Sequence, residues 1–185
     1  MTTGGLAGCG TSQLVLIDVQ EKLCRAMPAG SLGELLHNSA NLLQAAHLLD
    51  IPIIHTEQYP HGLGATHAQL ATWLDSDRRV EKTCFSCCAE PTFMAKLHGD
   101  RHQIILAGME AHICVLQTAL HLQALGRQVF VVEDAVLSRK LENKANALAR
   151  LRQAGVIVSN TESVLFEWLK VAEGEAFKQI SRLVR

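Results

Sequence analysis

Short apolar runs recur along the chain, and segments with helical spacing of apolar residues lie between them. Continuous apolar runs of this length are typical of strands that are buried on both faces of a parallel sheet. Strands that alternate with helices form right-handed crossovers, so the pattern predicts a single α/β domain with α/β/α layers around a roughly six-stranded parallel sheet. The predicted strands are 14–17, 51–54, 79–83, 103–107, 128–132 and 156–158.

Helices are predicted between these strands and at the end of the chain. Ser31 and Glu34 have the spacing of a capping box, which predicts that the first helix begins there. Glu133 and Asp134 are expected to end the fifth strand. The predicted helices are 31–50, 67–74, 91–98, 113–125, 142–154, 161–170 and 175–184.

Three segments are expected to lack regular structure. Residues 1–12 are rich in Gly, Thr and Ser, so we predict a flexible N-terminus ahead of a single domain at 13–185. Residues 19–31 and 56–67 contain turn-forming residues and are predicted to be loops.

The composition limits the class of protein. Of the 185 residues, 48% are hydrophobic and 19% are charged, which fits a globular domain with a substantial core. The net charge of −1 argues against a surface that binds nucleic acid. No apolar run approaches the roughly 20 residues that cross a membrane, so no membrane association is expected. The first positive side chain is Lys22, so a secretory signal is not expected either.

The cysteines indicate a reducing compartment. Their spacing is irregular and does not resemble a disulfide framework, so we expect free thiols and a cytoplasmic protein. Cys84 and Cys87 form a C-x-x-C pair without a second pair at zinc-site spacing, so no zinc site is predicted. These two thiols could instead lie near a pocket and make it sensitive to oxidation. The six cysteines are Cys9, Cys24, Cys84, Cys87, Cys88 and Cys114.

Cys114 has the most informative position of the six. The apolar run 104–107 ends at Gly108, and a segment with helical spacing continues to Leu125. Cys114 is therefore expected in a sharp turn from strand to helix, where the helix dipole and free N–H groups favour a thiolate. The alternative is a buried structural cysteine, which is the common fate of free Cys.

Two charged residues are candidates to act on this sulfur. Asp18 ends the first strand, and Lys82 lies at the end of the weak third strand. The carboxyl ends of parallel strands meet at one edge of the sheet, so both should lie near Cys114. A carboxylate there could accept the thiol proton, and an ammonium could stabilise the resulting negative charge. Alone, each could equally be a solvated strand end.

Several motifs resemble those of the isochorismatase-like cysteine hydrolases, from about residue 13 to the C-terminus. The superfamily includes nicotinamidases, N-carbamoylsarcosine amidohydrolases and isochorismatases. Its motifs are matched in order and spacing by Asp18-Val19-Gln20, Glu81-Lys82-Thr83-x-Phe85-Ser86 and Gly108-x-Glu110-x-x-Ile113-Cys114-Val115. Two further segments resemble the subgroup of isochorismatase-domain-containing proteins. They are Thr56-Glu57-Gln58-Tyr59-Pro60-x-Gly62-Leu63-Gly64 and Lys82-Thr83-Cys84-Phe85-Ser86.

The resemblance implies a Rossmann-like hydrolase fold and a catalytic triad. Asp18 would be the base, Lys82 the electrostatic partner and Cys114 the nucleophile. It also implies a cis peptide bond between Met109 and Glu110, with the N–H groups of Glu110 and Cys114 directed at one oxyanion. The expected reaction is hydrolysis of an amide-type C–N bond of a small molecule through a thioester on Cys114.

Four further residues are candidates for the substrate pocket: Gln20, Tyr59, Phe85 and His112. For Tyr59 and Phe85, packing in the core or a loop is an equally good explanation, because aromatic side chains pack by default.

The region after the second strand departs from the metal-binding nicotinamidases, which carry an Asp-x-His cluster there. Glu57, His61 and His67 could be assembled into a site, but their spacing is not diagnostic and no metal is predicted. No nucleotide-binding glycine motif follows a strand, so no cofactor is predicted.

Alternatives remain open on the same fold. One is a hydrolase of vinyl-ether or other non-amide bonds, although that chemistry does not need the cysteine. Another is a catalytically silent scaffold or redox-sensing protein. A homo-oligomer is expected, formed through the terminal helix or the apolar faces around 116–125, without an indicated number of chains.

Overall fold

Six parallel strands form the central sheet of the computed structural model, which describes residues 5–184. The strands are β1 (Ser12–Ile17), β2 (Ile53–Gln58), β3 (Arg79–Lys82), β4 (Gln103–Met109), β5 (Gln128–Leu137) and β6 (Ile157–Ser159). Their order across the sheet is β3-β2-β1-β4-β5-β6, and every neighbouring pair is parallel. The prediction of an α/β domain with a six-stranded parallel sheet is confirmed.

Helices connect the strands and cover both faces of the sheet. They are α1 (Glu21–Arg25), α2 (Ala29–Leu48), α3 (Pro60–Leu63), α4 (Ala68–Ala71), α5 (Pro91–Lys96), α6 (Leu116–Ala124), α7 (Leu141–Gln153), α8 (Thr161–Leu169) and α9 (Gly174–Leu183). Single 3₁₀ turns occur at Ser76–Arg78 and Cys87–Ala89, and a π-helical turn, Ala111–Val115, leads into α6.

The core consists of one apolar layer on each side of the sheet. Along β1, Leu14 and Leu16 pack into the layer that α2, α4, α8 and α9 cover. Val15 and Ile17 face the opposite layer, which α5, α6 and α7 cover. Successive side chains of a strand point to opposite faces, so an unbroken apolar run is what a strand between two helical layers requires.

The predicted loop at 19–31 is wrong. It contains α1, and α2 begins at Ala29 rather than at Ser31. Pro28 occupies the N-cap position with φ −59, which suits the start of a helix. Ser31 therefore lies inside the first turn, and the capping box predicted for Ser31 and Glu34 is wrong.

The second strand is shifted towards the C-terminus relative to the prediction. It begins at Ile53 and continues through Gln58, because it pairs with β1 up to Thr56 and with β3 up to Gln58. The predicted loop at 56–67 is consequently wrong over its first three residues and also contains the short helix α3.

The fifth strand is longer than predicted and passes through Glu133 and Asp134. Its pairing with β4 resumes after an irregularity, at Val136 and Leu137, which supplies backbone partners beyond the apolar run. The Asp134 carboxylate accepts hydrogen bonds from the N–H and hydroxyl of Thr161, each at 2.8 Å, and so joins β5 to the start of α8.

The predicted flexible segment 1–12 lies partly outside the described residues, because residues 1–4 are not among them. The remainder is attached to the domain. The N–H of Ala7 donates to Glu167 at 2.7 Å, and the N–H of Gly8 donates to Gln103 at 2.6 Å. Ser12 already belongs to β1.

The carboxyl ends of β1 and β4 approach each other closely at Gly108. It has φ +116 and pairs with Ile17, and a Cβ atom there would lie 2.0 Å from the Ile17 carbonyl oxygen. Only glycine combines this backbone conformation with so short a separation. The residue after Ile17 is Asp18, which has φ +51, a conformation that Asp tolerates better than most residues. This contact therefore fixes where β1 ends.

Candidate active site

Asp18, Lys82 and Cys114 come together at the carboxyl edge of the sheet, as the sequence predicts. Asp18 follows β1, Lys82 is the last residue of β3, and Cys114 lies in the π-helical turn after β4. The strand β2 separates β1 from β3, so the Lys82 side chain crosses the end of β2 to reach Asp18. The Lys82 Nζ lies 2.7 Å from the Asp18 Oδ2, and neither side chain is exposed.

The end of β2 supplies two polar side chains that the sequence analysis did not identify. The Thr56 hydroxyl donates to the Asp18 Oδ1 at 2.6 Å. The Gln58 Oε1 accepts a hydrogen bond from the Lys82 Nζ at 2.6 Å. Thr56 and Gln58 are two residues apart and so point to the same face, a signal that was hidden because the strand was predicted to end at Ile54.

The loop after β3 surrounds the ammonium group of Lys82. The carbonyl oxygens of Cys84 and Phe85 lie 3.3 and 3.4 Å from the Lys82 Nζ. Burial lowers the pKa of Lys82, but the net shift is upward, chiefly because the negative charge of Asp18 lies beside the ammonium. The ammonium form is therefore secure at neutral pH.

Cys114 lies in a wider turn than predicted. The π-helical turn is a rare conformation that is frequently found at functional sites. Burial raises the pKa of the Cys114 thiol well above its usual range; the Asp18 carboxylate adds to the rise and the Lys82 ammonium opposes it. The expectation that this position favours a thiolate is wrong for the free protein, because burial of the sulfur has the larger effect. The resting sulfur is a thiol beside a carboxylate.

A second thiol lies in the same cluster. Cys87 is completely buried, and its N–H donates to the Thr118 hydroxyl at 2.9 Å, one helical turn beyond Cys114. Burial raises the pKa of Cys87 to about 12, although the Lys82 ammonium lowers it. The prediction that Cys87 lies near the site agrees with these contacts, and at neutral pH its sulfur is an inert thiol.

The peptide bond between Met109 and Glu110 is cis, at the position that the family resemblance implies. The Glu110 carboxylate is buried, and its Oε2 accepts a hydrogen bond from the Arg139 N–H at 3.0 Å. This bond ties the start of the π-helical turn to the segment after β5.

The match to a protein family covers most of the domain. The family model of the isochorismatase domain matches residues 12–163, from the start of β1 into α8. The chain belongs to the isochorismatase family. Asp18, Lys82 and Cys114 all lie within the matched range.

Similar proteins cover nearly the whole length of this isochorismatase-family chain. Isochorismatase domain-containing protein 2 of Danio rerio is 40% identical over 174 residues, which are 94% of this chain and 86% of that protein. Isochorismatase domain-containing protein 2A of Mus musculus is 37% identical over 177 residues, which are 95% of this chain and 83% of that protein. Among solved structures, the MAR1 ribonuclease of Caenorhabditis elegans superimposes with a TM-score of 0.90 at 35% identity, covering 97% of this chain and 92% of that chain.

The four predicted pocket residues of the isochorismatase domain have different surroundings. Gln20 is completely buried, and its amide bonds to backbone groups of Gln58 and Gly64. Tyr59 is 55% exposed and borders a cavity of about 350 Å³ that Lys82 also borders. Phe85 is 54% exposed on the loop that surrounds Lys82.

His112, the fourth predicted pocket residue, belongs to a polar network beside the π-helical turn. Its Nδ1 lies 2.9 Å from the Ser138 hydroxyl, and its Nε2 lies 3.3 Å from the Asn143 Nδ2. The Glu110 Oε2 is 3.9 Å from the same Nδ1. The imidazole is therefore held in a fixed orientation within the same turn that carries Cys114.

Within residues 5–184, no group of three or more His, Cys, Asp or Glu side chains is arranged to hold a metal ion. In particular, Glu57 is occupied otherwise: its Oε1 accepts hydrogen bonds from the N–H and hydroxyl of Thr66 at 2.7 and 2.8 Å. No described helix is long and apolar enough to cross a membrane.

Proposed function

We propose that this isochorismatase-family protein is a cysteine hydrolase that cleaves an amide-type C–N bond of a small molecule. The observation that carries the proposal is the Asp18 carboxylate, which lies 2.7 Å from the buried Lys82 ammonium and close enough to Cys114 to raise the pKa of its thiol. A carboxylate in that position can accept a proton from the sulfur. The transfer moves the negative charge from Asp18 to the sulfur, and the Lys82 ammonium stabilises it there.

The reaction would proceed in two half-reactions. Asp18 takes the proton of the Cys114 thiol while the sulfur attacks the carbonyl carbon, which gives a tetrahedral intermediate. Collapse breaks the C–N bond, and the leaving amine takes the proton from Asp18, which leaves a thioester on Cys114. Asp18 then removes a proton from a water molecule that attacks the thioester, and the carboxylic acid and the free thiol are released.

The oxyanion of each tetrahedral intermediate needs hydrogen-bond donors. The family resemblance assigns this role to the N–H groups of Glu110 and Cys114, and we retain that assignment as part of the proposal. No cofactor enters the proposed mechanism.

The test is a screen of small amides and ureas with the wild-type protein and two variants. Cys114→Ala should lose on the order of 10⁴-fold or more in kcat, because a removed nucleophile leaves only residual catalysis. A thioester on Cys114 should be trapped by acid quenching and located by mass spectrometry of peptides. Cys84→Ala, on the neighbouring loop, is the matched control and should retain activity. Full hydrolysis by Cys114→Ala would contradict the proposal.

The similarity to a protein named as a ribonuclease makes RNA a second substrate class to test. We rank it second because the net charge of −1 provides little attraction for a polyanion, and because the buried Lys82 ammonium is already bonded to Asp18 and Gln58. Single-stranded RNA belongs in the same screen. Cleavage that survives in Cys114→Ala would indicate a contaminating nuclease, whereas cleavage lost with Cys114 would favour RNA.

Self-association and a cytoplasmic location are further parts of the proposal. Leu125, at the C-terminal end of α6, is 56% exposed, and Phe166 of α8 is 37% exposed. A second copy of the chain would cover such apolar surface. Light scattering coupled to gel filtration measures the number of chains. All six cysteines are free, which suits a reducing compartment.

A further inference from the structure

Gln58 is the nearest neighbour of the Lys82 ammonium on the adjacent strand. The two residues are paired in the register between β2 and β3, and the Gln58 Oε1 lies 2.6 Å from the Lys82 Nζ. This contact is as short as the ion pair with Asp18, at 2.7 Å. The two shortest contacts of the ammonium are therefore to one charged and one neutral oxygen.

The orientation of the Gln58 amide is fixed by its surroundings. Its Nε2 donates to the Thr83 carbonyl oxygen at 2.7 Å, so the Oε1 must face the ammonium. The backbone of Gln58 is held by the buried amide of Gln20, whose Oε1 accepts from the Gln58 N–H at 2.7 Å and whose Nε2 donates to the Gln58 carbonyl at 3.0 Å. The same Nε2 donates to the Gly64 carbonyl at 2.6 Å. Gln20 and Gln58 thus form a rigid support for Lys82.

The neutrality of this amide determines the charge balance of the site. The titratable groups that act on the Lys82 ammonium are Asp18 after β1, Cys87 in the loop after β3, and Cys114 in the π-helical turn. With both thiols protonated, the pair of Asp18 and Lys82 is neutral. When Asp18 takes the thiol proton, the ammonium has no other carboxylate partner among residues 5–184, and its charge becomes available to the thiolate and the oxyanion.

We propose that Gln58, supported by Gln20, is a positioning residue that holds the Lys82 ammonium against Asp18 without cancelling its charge. The role rests on the proposed function, since the charge matters only if negative charge develops at Cys114. A glutamate of the same shape would keep the short contact but would partner the ammonium permanently. The charge of the amide, rather than its size, is the property that the site requires.

The test compares Gln58→Glu with Gln13→Glu. Gln13 is a completely buried glutamine, whereas Gln58 is half-buried, and the Gln13 amide bonds to the backbone of His98 and Arg101. It lies in β1 five residues before Asp18, about 16 Å away along an extended strand. Gln13→Glu therefore introduces a carboxylate in a more buried position that is far from the site, which makes it a stringent control for the cost of the added charge. A third variant, Gln58→Met, keeps the length of the side chain and removes the oxygen acceptor.

The readout is the rate of Cys114 alkylation by iodoacetamide between pH 6 and pH 10, followed by peptide mass spectrometry on folded protein. For Gln58→Glu, the alkylation rate at neutral pH should fall by about tenfold or more, the change expected when the pKa of the thiol rises by about one unit. The rate–pH profile should move to higher pH. Gln58→Met should also slow alkylation, and Gln13→Glu should match the wild type.

Two results would overturn the proposal: wild-type profiles for both Gln58 variants, or an equal displacement by Gln13→Glu. If Gln58→Glu does not fold, Gln58→Met alone decides, since it introduces no buried charge. The experiment is separate from the test of the proposed function, because alkylation reports the surroundings of the sulfur without requiring turnover. If Cys114→Ala still hydrolyses amides, the proposed function is wrong, but the alkylation rates of the Gln58 variants can still be interpreted.

Discussion

The Asp18 carboxylate and the Lys82 ammonium lie 2.7 Å apart, and neither side chain has any exposed surface. A buried ion pair adds little net stability, because the cost of removing two charges from water offsets their attraction. Removing one partner is a different matter, since it leaves an uncompensated charge inside the protein. The pair therefore links the integrity of the fold to the integrity of the site.

Lys82→Met should lower the free energy of unfolding by about 3–5 kcal/mol, because the Asp18 carboxylate is left buried without its counter-charge. Asp18→Asn should have a similar effect through the isolated ammonium. The double variant should recover a large part of the loss while remaining inactive. Urea denaturation at pH 7.5 measures all three. Additive losses in the double variant would contradict a direct coupling between the two charges.

His55 should make the protein sensitive to acid. Burial lowers the pKa of His55 to about 4, and the imidazole Nδ1 has no hydrogen-bond partner among the described residues. In the unfolded chain the pKa of histidine is about 6.5, so the unfolded state binds the proton first as the pH falls. Stability should therefore decrease between pH 6.5 and pH 4, by up to about 3 kcal/mol.

The measurement for His55 is the urea midpoint at several pH values for wild type and His55→Gln. Carboxylates also destabilise proteins in acid, so the informative quantity is the difference between the two curves. The variant should lack the part of the slope between pH 6.5 and pH 4. His47→Gln, at an exposed position of α2, is the matched control and should follow the wild type.

Gly108→Ala should be severely destabilising. A Cβ atom at this position would lie 2.0 Å from the Ile17 carbonyl oxygen, and the backbone has φ +116. The strands β1 and β4 would have to separate just before Asp18, so we expect a loss of about 3 kcal/mol or more together with loss of activity. Gly126→Ala separates the two causes: Gly126 has φ +79 and no atom within 4 Å of an added Cβ. It should cost only about 1 kcal/mol.

The sequence predicted the sheet and the three central side chains for the same physical reason. Strands buried on both faces are continuous apolar runs, and the residue that ends each run lies at a known edge. Asp18, Lys82 and Cys114 were found in this way, without any information on side-chain contacts. The chain order and the rule for parallel sheets place these residues at one edge, and the roles proposed for them come from the family resemblance.

The supporting residues could not be predicted because their partners are distant in sequence. Gln58 contacts Lys82 and Thr83, and Gln20 is satisfied by backbone groups 38 and 44 residues away. A polar side chain that ends a strand looks like a loop residue until these partners are known. The π-helical turn around Cys114 was also missed, since its composition equally suits an α-helix. The expectation of a Cys114 thiolate was wrong for the same reason, because the burial that raises the pKa of this thiol depends on tertiary packing.

The enclosure of the Asp18–Lys82 pair also determines how the protein responds to dissolved salt. Small ions screen exposed charges over about 8 Å at physiological ionic strength, but they act far less on charges that solvent does not reach. Surface pairs such as Arg152 with Glu133 will weaken as salt is added, whereas the pair at the sheet edge has no exposed atom for an ion to approach. The rate of hydrolysis at Cys114 should therefore be nearly the same at low and at high ionic strength.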